Sequence, residues 1–108
     1  MDLQKSSLRL VDKQAAEVAK TDDRVTLKQM HDKVASVEYL HPQSAPTLTI
    51  AVVTLDNGFA VTGESACADP KNFNKELGQK FAAENAIKKI WALEGYVLRE
   101  RLFQKEQR

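Results

Sequence analysis

The sequence predicts an α+β domain, with an N-terminal helix or helices, one antiparallel β-hairpin turning at Asn57-Gly58, and one long C-terminal helix. Three observations predict it. Apolar residues recur at steps of three and four before residue 40, a β-branched run from Thr47 to Leu55 leads into Asp56-Asn57-Gly58-Phe59, and the helical period returns from about Asn74. At 108 residues the chain has the length of one domain, and a domain of this size buries one thin core.

The first element spans residues 7 to 20, where Leu8, Val11, Ala15 and Val18 make a weak apolar face of mostly small side chains. Thr21 to Arg24 interrupt the pattern. Thr26 then offers an N-cap with Gln29 three residues on, a capping box, and Val25 and Met30 occupy hydrophobic-staple positions. A second helix is expected from 27 to 39, with Leu27, Met30, Val34 and Val37 as its stripe, ending before Pro42.

Asn57 and Gly58 both tolerate positive φ, so a two-residue type I′ loop is expected between the strands. That loop pairs Leu55 with Ala60, Val53 with Thr62 and Ile50 with Ser65. Side-chain alternation then puts Leu48, Ile50, Val52, Val61 and Cys67 on the core face. Thr49, Ala51, Val53, Leu55, Ala60, Thr62 and Glu64 take the other face, apolar enough to need another helix or another subunit over it.

Asp69-Pro70 marks a turn, and Asn74 is the expected N-cap of a helix running to roughly Gln104. Its apolar residues, from Leu77 and Phe81 to Leu98 and Leu102, cover more than one stripe, which exceeds what a hairpin and a short helix can bury. Gly78 and Gly95 each cost about 1 kcal/mol against alanine in a helix interior, so close packing or a break near Gly95 is expected. The expected division is a helical extension at 1–24, one domain at 25–104 and a frayed tail at 105–108.

Charge and cysteine usage narrow the function. Sixteen Lys+Arg against fifteen Asp+Glu give a net charge of +1, without the overall positive field of small nucleic-acid-binding domains. One cysteine, Cys67, closes no internal disulfide, and with only His31 and His41 beside it no zinc spacing exists. The chain reads as one made for a reducing compartment. Its first ten residues lack a signal-peptide core, and no run approaches the roughly 18 apolar residues that span a membrane.

Candidate chemistry is sparse. A nucleophile and base could come only from Ser65 or Cys67 with His31 or His41, with Glu64 or Asp69 nearby, and nothing in the spacing joins them. Glu64, Asp69 and Asp56 supply too few oxygens for a hard-cation site. The reading is therefore a non-enzymatic protein with no cofactor. Partner-binding candidates are Trp91 and Tyr96, an aromatic pair flanking Glu94, together with Lys88, Lys89 and Arg99 on the last helix and Glu64 after the hairpin. The bland alternatives are that Trp91 is a core residue, that Glu64 is buried against Lys88 or Lys89, and that the basic residues form an ordinary solvated face interleaved with Glu84, Glu94, Glu100 and Glu106.

Thr54-Leu55-Asp56-Asn57-Gly58-Phe59, then Gly63-Glu64-Ser65-Ala66-Cys67 with Asn72-Phe73, then Glu84 to Trp91 with Leu93-Glu94-Gly95-Tyr96, together resemble the phage gene-49/gene-66 product family. These are small accessory proteins of tailed bacteriophages and prophages, and the resemblance covers roughly residues 25 to 102. It implies a viral origin and expression in the host cytoplasm, and it brings no catalytic residues. The leading expectation is an accessory protein, a homo-oligomer, that binds and modulates or inhibits a host bacterial protein, with a defence component as the target class. The alternatives are sequestration of a small nucleotide between subunits, by Trp91 or Tyr96 stacking and Lys88, Lys89 or Arg99 on phosphate, and nucleic-acid binding through the last helix, which the charge balance disfavours.

Overall fold

Helix α1 (Leu8–Val18), helix α2 (Leu27–Lys33), strands β1 (Val34–Leu40), β2 (Leu48–Leu55) and β3 (Ala60–Ala66), a 3-10 turn (Pro70–Asn72) and helix α3 (Lys75–Glu106) follow one another in a computed structural model that describes residues 6–107. The strands form one antiparallel sheet in the order β1-β2-β3. The α+β class, the Asn57-Gly58 hairpin and the long last helix are as the sequence predicts, with a third strand added.

That strand corrects the second helix. The capping box forms as expected, Thr26 Oγ1 accepting from Gln29 N and Gln29 Oε1 from Thr26 N, but α2 stops at Lys33 and Val34 is already extended. Val34–Leu40 pairs along β2 instead. The pairing skips a residue between Val34 and Ser36, leaving Ala35 as a bulge. The bulge lets Val34 and Val37, three residues apart, both pack on the core. Spacing of three is what made the segment read as helix.

The hairpin loop corrects the register. Leu55 N donates to Phe59 O at 2.8 Å and Gly58 N donates to Leu55 O at 2.9 Å, so three residues, Asp56, Asn57 and Gly58, make the loop. Only Gly58 takes positive φ, at 89°, while Asn57 instead accepts from Phe59 N through Oδ1. This is a turn closed by a left-handed glycine rather than a type I′ pair. Val53 therefore faces Val61 instead of Thr62, and Ile50 faces Glu64 instead of Ser65.

The core face is also the reverse of the one expected. Thr49, Ala51, Val53 and Leu55 are buried, whereas Leu48, Ile50, Val52 and Thr54 are half-exposed on the outside. Val61 sits opposite Val53 and so belongs to the inner face, since a slip of one residue moves a side chain across the sheet. The cover foreseen for the Thr49–Leu55 face is supplied by the chain itself: α2 and α3 pack Leu27, Met30, Ala86, Ile87 and Ile90 on Val53 and Leu55. A smaller cluster joins Ala51 to Ala82 and Ala83, with Tyr39 beside it, and burial pushes the Tyr39 phenol above its usual value.

Small residues set the helix-to-sheet distance. A Cβ on Gly63 would overlap the backbone of Ala82 and Ala86, and one on Gly78 would lie 2.8 Å from Thr49 Oγ1. Gly78 is thus a close-packing glycine. Thr49 Oγ1 is fully buried and has no hydrogen-bond partner among the described residues. Thr49→Val keeps the shape and removes the desolvated hydroxyl, so it is expected to stabilise the fold by about 1 kcal/mol in urea denaturation.

Helix α3 is capped by Asn74 Oδ1, which accepts from Leu77 N, and runs unbroken through Gly95 to Glu106, past the end expected near Gln104. A Cβ on Gly95 would meet nothing within 4 Å, so neither a break nor close packing inside the chain accounts for that glycine. Thirty-two residues make a helix roughly 48 Å long, most of the 57 Å length of the described molecule. Its fully buried residues lie between Ala82 and Ile90, and beyond them the helix outruns the sheet.

Helix α1 docks through few groups. Leu8 enters the main core, Ser7 donates to Glu84 from Oγ at 2.7 Å and from N at 3.3 Å, and Asp12 Oδ1 accepts from Leu27 N and Arg24.

Candidate functional site

The groups considered for catalysis are dispersed by the fold. His31 Nδ1 lies 3.6 Å from Asp32, His41 Nε2 lies 3.1 Å from Gln79 Nε2, and Cys67 Sγ contacts Asp69 O at 3.2 Å. Neither histidine hydrogen-bonds Ser65 or Cys67 among the described residues. Among those residues, no group of three or more His, Cys, Asp or Glu could hold a metal ion, and no helix is long and apolar enough to cross a membrane.

The partner-binding candidates on α3 fall into three environments. Trp91 is half-buried and packs on the main core, close to its bland reading. Glu94 holds α2 to α3: its carboxylate, 18% exposed, takes the Lys33 ammonium at 2.8 Å. The remaining helix residues, Lys88, Lys89, Tyr96 and Arg99, are exposed, and Arg99 forks onto Glu106 at 3.1 and 3.2 Å. That pair raises the Arg99 pKa and lowers that of Glu106, chiefly through the hydrogen bonds.

Trp91 and Tyr96 do not form one stacking platform. Five residues separate them, a rotation of about 140° around the helix. Lys88 stands beside Trp91 and Arg99 beside Tyr96, each at a spacing of three, and the Arg99 guanidinium is taken by Glu106, so the groups proposed to hold a nucleotide do not gather into one site within one chain. A groove of about 420 Å³ beside α3 is lined by Asp22 and Asp23 as well as Lys33, Glu94, Arg101 and Lys105, a mixture of signs unsuited to phosphate alone.

Glu64 is not buried. It stands exposed on the outer face of β3, where Oε1 accepts from Thr62 Oγ1, and Asn85 Nδ2 donates to its main-chain oxygen. Its Cα partner is Ile50, whose partner on the other side is Leu40; in the next row Thr62, Val52 and Glu38 stand side by side. The outer face is therefore an apolar centre, Leu40, Leu48, Ile50 and Val52, between Glu38 on one edge strand and Glu64 on the other. Glu64 was legible in the sequence but this surface was not, because both faces of β2 are apolar and the Leu48, Ile50 and Val52 face was expected to be the core one. With both faces of the central strand apolar, the packing of α2 and α3 on Val53 and Leu55 decides which is inside.

A second apolar surface lies at the far end of α3. Leu93, Tyr96, Val97 and Phe103 are exposed by 43, 69, 46 and 43%, although Ile90 just before them is fully buried. On a helical wheel these four fall within about 120° of one another, starting beside the line that carries Ala86 and Ile90 under the sheet and turning away from it toward Tyr96 and Phe103.

Among protein families, the model of the phage protein (N4 Gp49/phage Sf6 gene 66) family matches residues 14–102. The match begins inside α1, earlier than residue 25, and ends at Leu102 within α3. No curated protein and no solved structure matches the chain.

Proposed function

The chain belongs to the phage protein (N4 Gp49/phage Sf6 gene 66) family, and from that premise we propose that it is a non-enzymatic accessory protein that binds and modulates a host protein in the host cytoplasm. A host-defence component is the leading target class. The observation that carries this reading is the uncovered outer face of the sheet. An antiparallel sheet with one solvated face normally places polar side chains there. Here the central strand offers Leu48, Ile50 and Val52, half-exposed, with exposed Leu40 beside them. Contiguous apolar surface rimmed by polar residues marks interaction sites. The rim is acidic through Glu38 and Glu64, so the fitting partner presents an apolar ridge flanked by lysine or arginine, complementarity that favours encounter as well as specificity.

Affinity capture from phage-infected cells tests the reading. Wild type should retain a host protein that Val52→Glu loses by at least about tenfold, while a charge placed at exposed Leu77 on α3 leaves capture unchanged. Equal recovery with Val52→Glu would remove the sheet face from the contact.

A further inference from the structure

We propose that the free end of α3 is a self-association surface, pairing antiparallel with the same segment of a second copy across a two-fold axis. This stands apart from the host-binding reading and survives its failure.

The free segment matches itself in length. Sheet cover ends at Ile90 and the helix ends at Glu106. An antiparallel pair centred on Leu98 brings residue 90 of each helix opposite residue 106 of the other. Each helix thus stops where its partner's sheet begins, and the whole uncovered stripe is used.

That alignment is also chemically self-complementary. Leu93 of each copy meets Phe103 of the other, and the two Val97 side chains flank the axis, offset from each other by about 3 Å along the helices. Tyr96 meets Glu100, so the phenol donates to the one carboxylate within the stripe. Glu100 already accepts from Gln104 Nε2 at 2.9 Å and keeps further acceptor capacity for the phenol. Parallel pairing would instead stack Glu100 on Glu100 and lose that donor. From Trp91 to Glu106 the segment carries Glu94, Glu100 and Glu106 against Arg99, Arg101 and Lys105, so two copies meet without net repulsion. A two-fold interface requires one patch to complement itself in this way.

Sedimentation velocity of the full chain, run from micromolar to millimolar concentration, tests the proposal. The expected result is a dimer that Val97→Asp weakens at least about tenfold, with the circular dichroism of the monomer unchanged because Val97 is an exposed side chain. In a Cys67→Ser background, Leu93→Cys combined with Phe103→Cys should oxidise to a covalent dimer, whereas Leu93→Cys alone should not. A wild-type monomer at millimolar concentration, a dimer indifferent to Val97→Asp, or cross-linking by Leu93→Cys alone would overturn it; the first would leave the stripe to a host helix.

Discussion

Gly63→Ala is expected to lower the unfolding free energy by about 3 kcal/mol or more, a large fraction of the whole stability of a domain of this size. Gly63 is buried in β3 directly beneath α3, and the added methyl would fall on the Ala82 carbonyl oxygen and the Ala86 amide nitrogen. Both are main-chain atoms of a regular helix and cannot swing aside as the end of a side chain could. The only relief is to part α3 from the sheet, which opens the contact of Ala82, Ala83 and Ala86 along its length. Urea denaturation monitored by circular dichroism reads the effect directly. A loss under about 1 kcal/mol would mean that strand and helix lie further apart than described.

Ile87→Ala is expected to cost about 2–5 kcal/mol, the range for emptying a fully buried aliphatic site. Ile87 has no exposed surface and lies in the cluster that joins α1, α2, the sheet and α3 through Leu8, Leu27, Val53 and Leu55. With neighbours drawn from every layer, the cavity cannot collapse by moving one element. Substitution at Leu93, one line further along the same helix but exposed, should change monomer stability far less. Denaturation of the two variants side by side checks both statements, and equal losses would contradict the placement of the sheet edge near Ile90.

Much of the fold was legible because local chemistry and tertiary packing agree there. The Thr26 capping box, the Asn74 cap and the Asp56-Asn57-Gly58 turn are short-range signals, and each forms where its residues stand. The failures arise where one local pattern fits two structures. Val34 and Val37 suit a helix stripe, yet a bulge at Ala35 gives a strand the same inward spacing, and the edge of β2 was free to receive it. The hairpin sequence fits a loop of two residues or three, and the choice of three moved Val61 to the Val53 side of the sheet; which side of β2 is buried was then set by α2 and α3.

The candidate site was legible only in part for the same reason. In the sequence Trp91 fits either a partner-binding aromatic or a core residue, and the structure leaves it half-buried against the core. The Lys33–Glu94 pair joins groups 61 residues apart, and Arg99 reaches Glu106 across two helical turns, outside the spacing normally read for helix ion pairs. The outer face depends on register, and the overhang of α3 depends on where the sheet ends. Neither is written in any single segment.

The central claim, that the outer sheet face is the host contact, is tested most directly by calorimetric titration of the captured host protein with wild type, Glu64→Lys and Ile50→Asp. Wild type should bind one partner per exposed face, Glu64→Lys should weaken binding with a reduced salt dependence, and Ile50→Asp should weaken it by about a hundredfold or more. Affinity unchanged by Ile50→Asp, in a chain whose denaturation midpoint is also unchanged, would place the contact elsewhere and contradict the account.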